Sequence, residues 1–355
     1  MTCIDCHQAS EVMGGGGTHA HERDAIKIAC VDCHAAGKTA TKEYGQLDPE
    51  TQQIVAMRQL NQPDRKFVVS ESGAAAYPNV FLDAGGHPVL SLMDSTRVLK
   101  PKPMAEACTA AIHQRLECSA CHTPWTPQCI SCHTSFDRNT QGWDYLAGKY
   151  VDGNWQEEPA NYLSDAPALG IERISTSDGQ SAERITTFSP GMILHLDLPG
   201  GSAEKRPEFR RLFAPASAHT TATHSRDCRS CHTNPAALGY GRGQLKYVVT
   251  GRTAEWQFTP RYPVSPEDGL AADAWIGFLQ ERSGSAATRK GARPFSLDEQ
   301  RRILLVGACL ACHNEKDPRI ARVFADFKDY RSALSPKCVL PSWSDPSPQP
   351  EGLTQ

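Results

Sequence analysis

The chain has 355 residues, a formal net charge of −3 and 39% hydrophobic residues. A near-neutral balance without a basic run excludes a nucleic-acid footprint, and no apolar run approaches the roughly 20 residues needed to span a bilayer. The 27 Gly and 25 Pro argue for many turns and little long regular structure, so the chain needs something besides its own apolar side chains to build a core around.

The 14 cysteines are too many for a typical cytosolic enzyme and too regularly spaced for an arbitrary disulfide scaffold. Twelve of them fall in six Cys-x-x-Cys-His motifs, Cys3/Cys6/His7, Cys30/Cys33/His34, Cys118/Cys121/His122, Cys129/Cys132/His133, Cys228/Cys231/His232 and Cys309/Cys312/His313. Composition alone gives about 0.02 such motifs by chance. Two thiols three positions apart reach the two vinyl groups of one haem and form thioethers, and the adjacent histidine sits under the iron as its proximal ligand. Zinc ribbons and redox disulfides also use Cys-x-x-Cys, but neither requires a histidine after every second cysteine. The spacing therefore predicts six covalently bound c-type haems, held by those twelve cysteines, with His7, His34, His122, His133, His232 and His313 as proximal iron ligands.

Seven histidines remain for distal ligation. His21 opens a helical run into Cys30, His113 stands five residues before Cys118, and His219 follows the Pro215 turn before Cys228. These three lead as distal ligands. His19, His224 and His195 follow them, His195 being equally a core histidine in an apolar run. His87 follows Gly85-Gly86 in an apparent hairpin turn, which suits a surface role. Met192 is either an axial ligand or a core methionine. Cys108 and Cys338 lie outside the motifs and form either a disulfide or two unpaired buried thiols.

Along the chain, residues 1–40 make an N-terminal dihaem segment. Residues 41–104 are a motif-free β-rich insert, with strands read at 66–70, 79–82 and 88–92. Residues 105–140 are a tight dihaem segment, where Trp125 packs against a haem face or in the plain core. Residues 141–216 read as a connector, 217–295 as a fifth-haem segment and 296–340 as a sixth-haem helical segment. Helices are expected at 270–282, at 296–307 behind a Ser296/Glu299 capping box, and at 319–334. The proline-rich tail, 341–355, reads as disordered. The fold class these readings predict is a multihaem cytochrome c, mostly coil with short α-helices around stacked haems plus a small β insert.

The stretch His113-x-Arg115-Leu116-x-Cys118-x-Ala120-Cys121-His122-Thr123-x-Trp125-x-Pro127-Gln128-Cys129, with Phe209 to Pro215, His219-Thr220-Thr221 and Ala237 to Gly243, resembles large bacterial multihaem c-type cytochromes of anaerobic respiration. The resemblance covers residues 1 to about 340. It implies periplasmic or extracellular electron transfer; a wire of closely packed haems suits a link from a quinol-side donor to a terminal reductase or to an outer-membrane or extracellular acceptor, other redox proteins in each case. Such proteins usually carry more motifs upstream. Met1 stands two residues before Cys3, and c-type haem is attached outside the inner membrane, so the sequence is expected to be an N-terminally truncated piece.

Electron transfer along mostly bis-histidine haems is the leading expectation, and on it the chain is not itself an enzyme. The alternative is a multihaem reductase of a small nitrogen or sulfur oxyanion with one open haem site. A self-assembling haem-rich filament subunit shares the same motifs.

Overall fold

The structure, a computed structural model, describes residues 2–8, 11, 19, 22–35, 39–71, 73, 75–105, 108, 113–130, 133–158, 161–175, 180–196, 208–216, 220–282, 287–325 and 327–344. The chain divides into two compact units, Met1–Gln114 and Arg115–Gln355.

The first unit is built on an antiparallel five-stranded sheet in the order β1 (Thr41–Glu43), β2 (Lys66–Val69), β3 (Ala76–Leu82), β4 (Pro88–Ser91), β5 (Val98–Leu99). Side chains alternate between faces along a strand, and β2 uses this to fill two layers. Phe67 and Val69 join Leu47, Val55 and Ala76 on one side. Val55 comes from helix α3 (Pro49–Met57), which starts with Asp48 accepting the Thr51 N–H at 3.0 Å and proline at the first helical position. Val68 faces the other way, with Tyr77, Val80, Leu90 and Leu92, and Ile28 and Cys33 pack onto that layer. The short helices α1 (Glu22–Ala25) and α2 (Cys30–His34) precede the sheet in sequence, and α2 carries the second motif.

The second unit contains a six-stranded sheet. Its path runs β15 (Ala292–Arg293), β10 (Ala168–Ser175), β11 (Ser181–Leu196), β7 (His133–Asp144), β8 (Lys149–Glu158), and β12 (Glu208–Pro215) also pairs with β11. The register is interrupted between Pro190 and Ile193 of β11, where a strand tolerates proline. Two ribbons complete the strands, β6 (Thr126–Ile130) with β9 (Asn161–Asp165) and β13 (Gly243–Thr250) with β14 (Thr253–Pro260). Trp275 is fully buried, stacked on Phe213 at 4.8 Å between centroids and tilted against Phe188 at 4.5 Å. Gly170 faces this ring: a Cβ there would lie 2.5 Å from the indole and 2.8 Å from the Arg293 carbonyl. A second core layer joins Leu169, Ile171, Leu238, Tyr240, Trp256 and Leu304.

Helices of this unit are α4 (Cys118–His122), α5 (Arg229–His232), α6 (Leu297–Cys312) and α7 (Pro318–Ala325). The Ser296 hydroxyl accepts the Glu299 N–H and the Glu299 carboxylate accepts the Ser296 N–H, so the capping box forms at the head of α6.

These elements overturn the expected mostly-coil fold with a small β insert. The structure is dominated by strands in four sheets, with α3, α6 and α7 the longer helices among the described residues. The described residues of 141–216 lie largely in paired strands, where the sequence pointed to a connector. Its glycines and prolines were read as breakers, yet several serve the sheet: Gly170 admits Trp275, and Gly153, at φ +94°, leaves room for the Phe136 ring. The helix expected at 270–282 is replaced by turns, with Ala271 bridging to Val264. The helix expected at 319–334 stops at Ala325 and gives way to 3-10 turns over Phe327–Ala333. The start of the tail is ordered: Ser342–Ser344 form a 3-10 turn and Trp343 packs on the second core layer, while 345–355 lie outside the described residues.

Candidate haem sites

Five motifs adopt one helical turn. Cys3–Asp5 is a 3-10 turn, Cys30–His34 and Cys118–His122 are helices, Cys228 caps α5, and Cys309 and Cys312 end α6. The histidine N–H donates back to the first cysteine carbonyl at 2.9 Å in His7→Cys3, His232→Cys228 and His313→Cys309. Residues i, i+3 and i+4 then share one face, so both thiols and the imidazole of each motif project together, as two thioethers and one axial ligand on a single porphyrin require.

Three of the imidazoles are held through Nδ1 by backbone carbonyls. Nδ1 of His34 meets the Lys102 carbonyl at 2.7 Å, Nδ1 of His122 meets that of Ala222 at 3.1 Å, and Nδ1 of His232 meets that of Ile303 at 2.9 Å. A carbonyl only accepts, so Nδ1 is the donor in each pair, an arrangement compatible with metal binding through Nε2. His7 and His313 instead face carboxylates, Glu11 Oε2 at 3.3 Å and Asp317 Oδ2 at 3.4 Å.

The turns are anchored firmly. In the first unit the second variable residue of both motifs is aspartate. Asp5, buried, accepts the N–H groups of Thr2 and Met93, each at 2.5 Å, and Asn79 Nδ2 donates to its carbonyl at 2.9 Å. Asp32, also buried, accepts from Ala29 N at 2.8 Å, Glu71 N at 2.7 Å and the Tyr77 hydroxyl at 2.6 Å. In the second unit the segment before motif five lies along motif three: Ala222 N donates to the His122 carbonyl and Arg226 N to the Cys121 carbonyl, both at 2.8 Å. Motif five abuts motif six. Cys228 N donates to Glu315 Oε2 at 3.3 Å, Arg229 Nη2 donates to the His313 carbonyl at 3.0 Å, and a Cβ on Gly307 of α6 would lie 2.3 Å from the His232 carbonyl oxygen.

Five motif thiols are not poised as nucleophiles. Burial, joined by the charge of Asp32 and by Cys6, pushes the Cys33 thiol up to about 11. Burial also raises Cys6, Cys228, Cys231 and Cys309. Redox-active Cys-x-x-Cys pairs need the opposite, a lowered thiol pKa. Among the described residues no three or more His, Cys, Asp or Glu side chains converge as a metal site.

The fourth motif does not fit the pattern. Cys129 lies in β6 opposite Tyr162, and His133 opens β7 opposite Glu158. Cys132 and the His133 side chain lie outside the described residues.

Of the expected distal ligands, His21 and His219 and the side chain of His195 lie outside the described residues, although the His195 backbone pairs with Phe209 in the sheet. His19, His113 and His224 are exposed. His224 stands within the 222–226 segment that clamps motif three. His87 lies in the β3–β4 hairpin with a side chain 74% exposed. The Met192 side chain is outside the described residues, and Trp125 is exposed, accepting at its carbonyl a bond from the Thr220 hydroxyl. Cys108 and Cys338 are exposed free thiols in the two different units, so neither is the buried thiol considered from sequence.

Sequence reading missed the partners of Nδ1. The backbone carbonyls leave no trace in sequence. Glu11 and Asp317 do, each standing four residues after its motif histidine.

No helix among the described residues is long and apolar enough to cross a membrane. Comparison with protein-family models, curated proteins and solved structures gave no match.

Proposed function

We propose that this chain is a multihaem c-type cytochrome that transfers single electrons. The observation that carries the reading is the recurrence of one helical Cys-x-x-Cys-His turn in five places, with each histidine Nδ1 engaged by a carbonyl or carboxylate. The paired cysteines would fix the porphyrin edge and Nε2 of His7, His34, His122, His232 and His313 would take the axial position. Haem, when bound, supplies reversible one-electron iron chemistry.

The chain's own residues then hold and shield. Asp5 and Asp32 tie two turns to the first unit's sheet. Cys33 packs on the Val68 layer, which limits water there, and Ala120 and Cys231 do the same in the second unit. The clamps between motifs three, five and six keep those turns side by side, the arrangement that short electron transfer needs. Periplasmic or extracellular placement and redox-protein partners follow from the resemblance in sequence and belong to the same proposal.

Optical and EPR spectra of the exported holoprotein, with a pyridine haemochrome assay, test the reading. Low-spin signals throughout support an electron carrier. A high-spin signal that changes on adding nitrite, hydroxylamine or sulfite overturns it in favour of a reductase.

A further inference from the structure

We infer that Glu11 and Asp317 are positioning residues that set the reduction potentials at the first and sixth motifs apart from the others, Glu11 more strongly. The inference rests on the haem reading above. At motifs two, three and five the Nδ1 partner is a neutral carbonyl. At motifs one and six it is a carboxylate, four residues along the chain. Negative charge on the far side of an imidazole makes Nε2 a stronger donor and favours the more positive, ferric iron, which lowers the potential.

The two carboxylates differ in what offsets their charge. The Glu11 side chain is fully enclosed, and its oxygens accept the backbone N–H groups of Lys27 at 2.6 Å and Gln8 at 2.9 Å. These donors orient it without cancelling its charge, and enclosure weakens solvent screening. Asp317 is gripped by the Arg319 guanidinium, with Nη2 at 2.6 Å from Oδ2 and Nε at 3.0 Å from Oδ1. That cation neutralises most of what Asp317 would deliver to His313. The Arg319 side chain itself is 70% exposed, so replacing it disturbs no core.

The test is EPR-monitored redox titration of the full-length holoprotein carrying Glu11→Gln, Asp317→Asn or Arg319→Gln, after a haem count on each. Glu11→Gln keeps an acceptor and removes the charge; one midpoint rises and the rest hold. Asp317→Asn raises a different midpoint by less. Arg319→Gln moves that same midpoint down, opposite in sign to Asp317→Asn, with the haem count unchanged. Full haem content with unmoved midpoints in Glu11→Gln and Arg319→Gln overturns the inference and leaves the haem reading standing. A holoprotein with no haem on Cys3/Cys6 or Cys309/Cys312 overturns both.

Discussion

The Tyr77 hydroxyl donates to Asp32 Oδ2 at 2.6 Å, joining the start of β3 to the turn of the second motif. Asp32 also takes two backbone N–H groups, so one carboxylate closes the motif turn and docks it on the sheet. Replacing Asp32 with Ala strands three donors and costs roughly 3 kcal/mol, whereas Tyr77→Phe costs about 1 kcal/mol. Hydrogen exchange of the β2 and β3 amides reads the difference; equal protection in both variants contradicts it.

Trp275 is the keystone of the second unit's sheet. Trp275→Ala removes a fully buried indole between Phe213 and Phe188 and costs roughly 3–5 kcal/mol. Gly170→Ala drives a methyl into the same ring and costs about 1–3 kcal/mol. Urea unfolding followed by Trp fluorescence checks the first through the remaining tryptophans and the second directly.

Glu299 gives the second unit an acid-sensitive link. Burial would raise its carboxyl, but Arg293, with Nη1 at 2.7 Å, and the Ser296 N–H outweigh burial and hold it below the usual glutamate range. A depressed carboxyl stabilises above its unfolded pKa, and that contribution is lost as pH falls through the folded value. Glu299→Gln therefore costs roughly 1 kcal/mol near neutrality, and the gap to wild type closes below about pH 4. Unfolding midpoints across pH 3–7 measure it; a constant gap contradicts the assignment.

On the haem reading, Cys129 must leave its place in β6. The β6–β9 ribbon has five residue pairs, worth about 1–5 kcal/mol together, and two covalent thioethers outweigh that. Peptide mapping is expected to find haem on the 129–133 segment, and Cys129→Ala to lower the haem count by one. A haem-free 129–133 peptide from wild type contradicts this.

The motif spacing was more legible in this sequence than the sheets. Covalent attachment needs a fixed spacing of Cys, Cys and His, which survives in one dimension. The Ser296/Glu299 box was legible for the same reason. The sheet around β10, β11 and β12 was not, because its strands pair across tens of residues and carry Gly170 and Pro190 where local rules expect breaks. The carbonyls of Lys102, Ala222 and Ile303 were illegible too, since any residue supplies a carbonyl. Glu11 and Asp317 could be found from the motif-plus-four spacing.

The most direct test is the haem content of the exported, purified chain, by intact mass and pyridine haemochrome. The account predicts six haems per chain, bound through the twelve motif cysteines. Fewer than five contradicts it, because the five helical turns carry the argument.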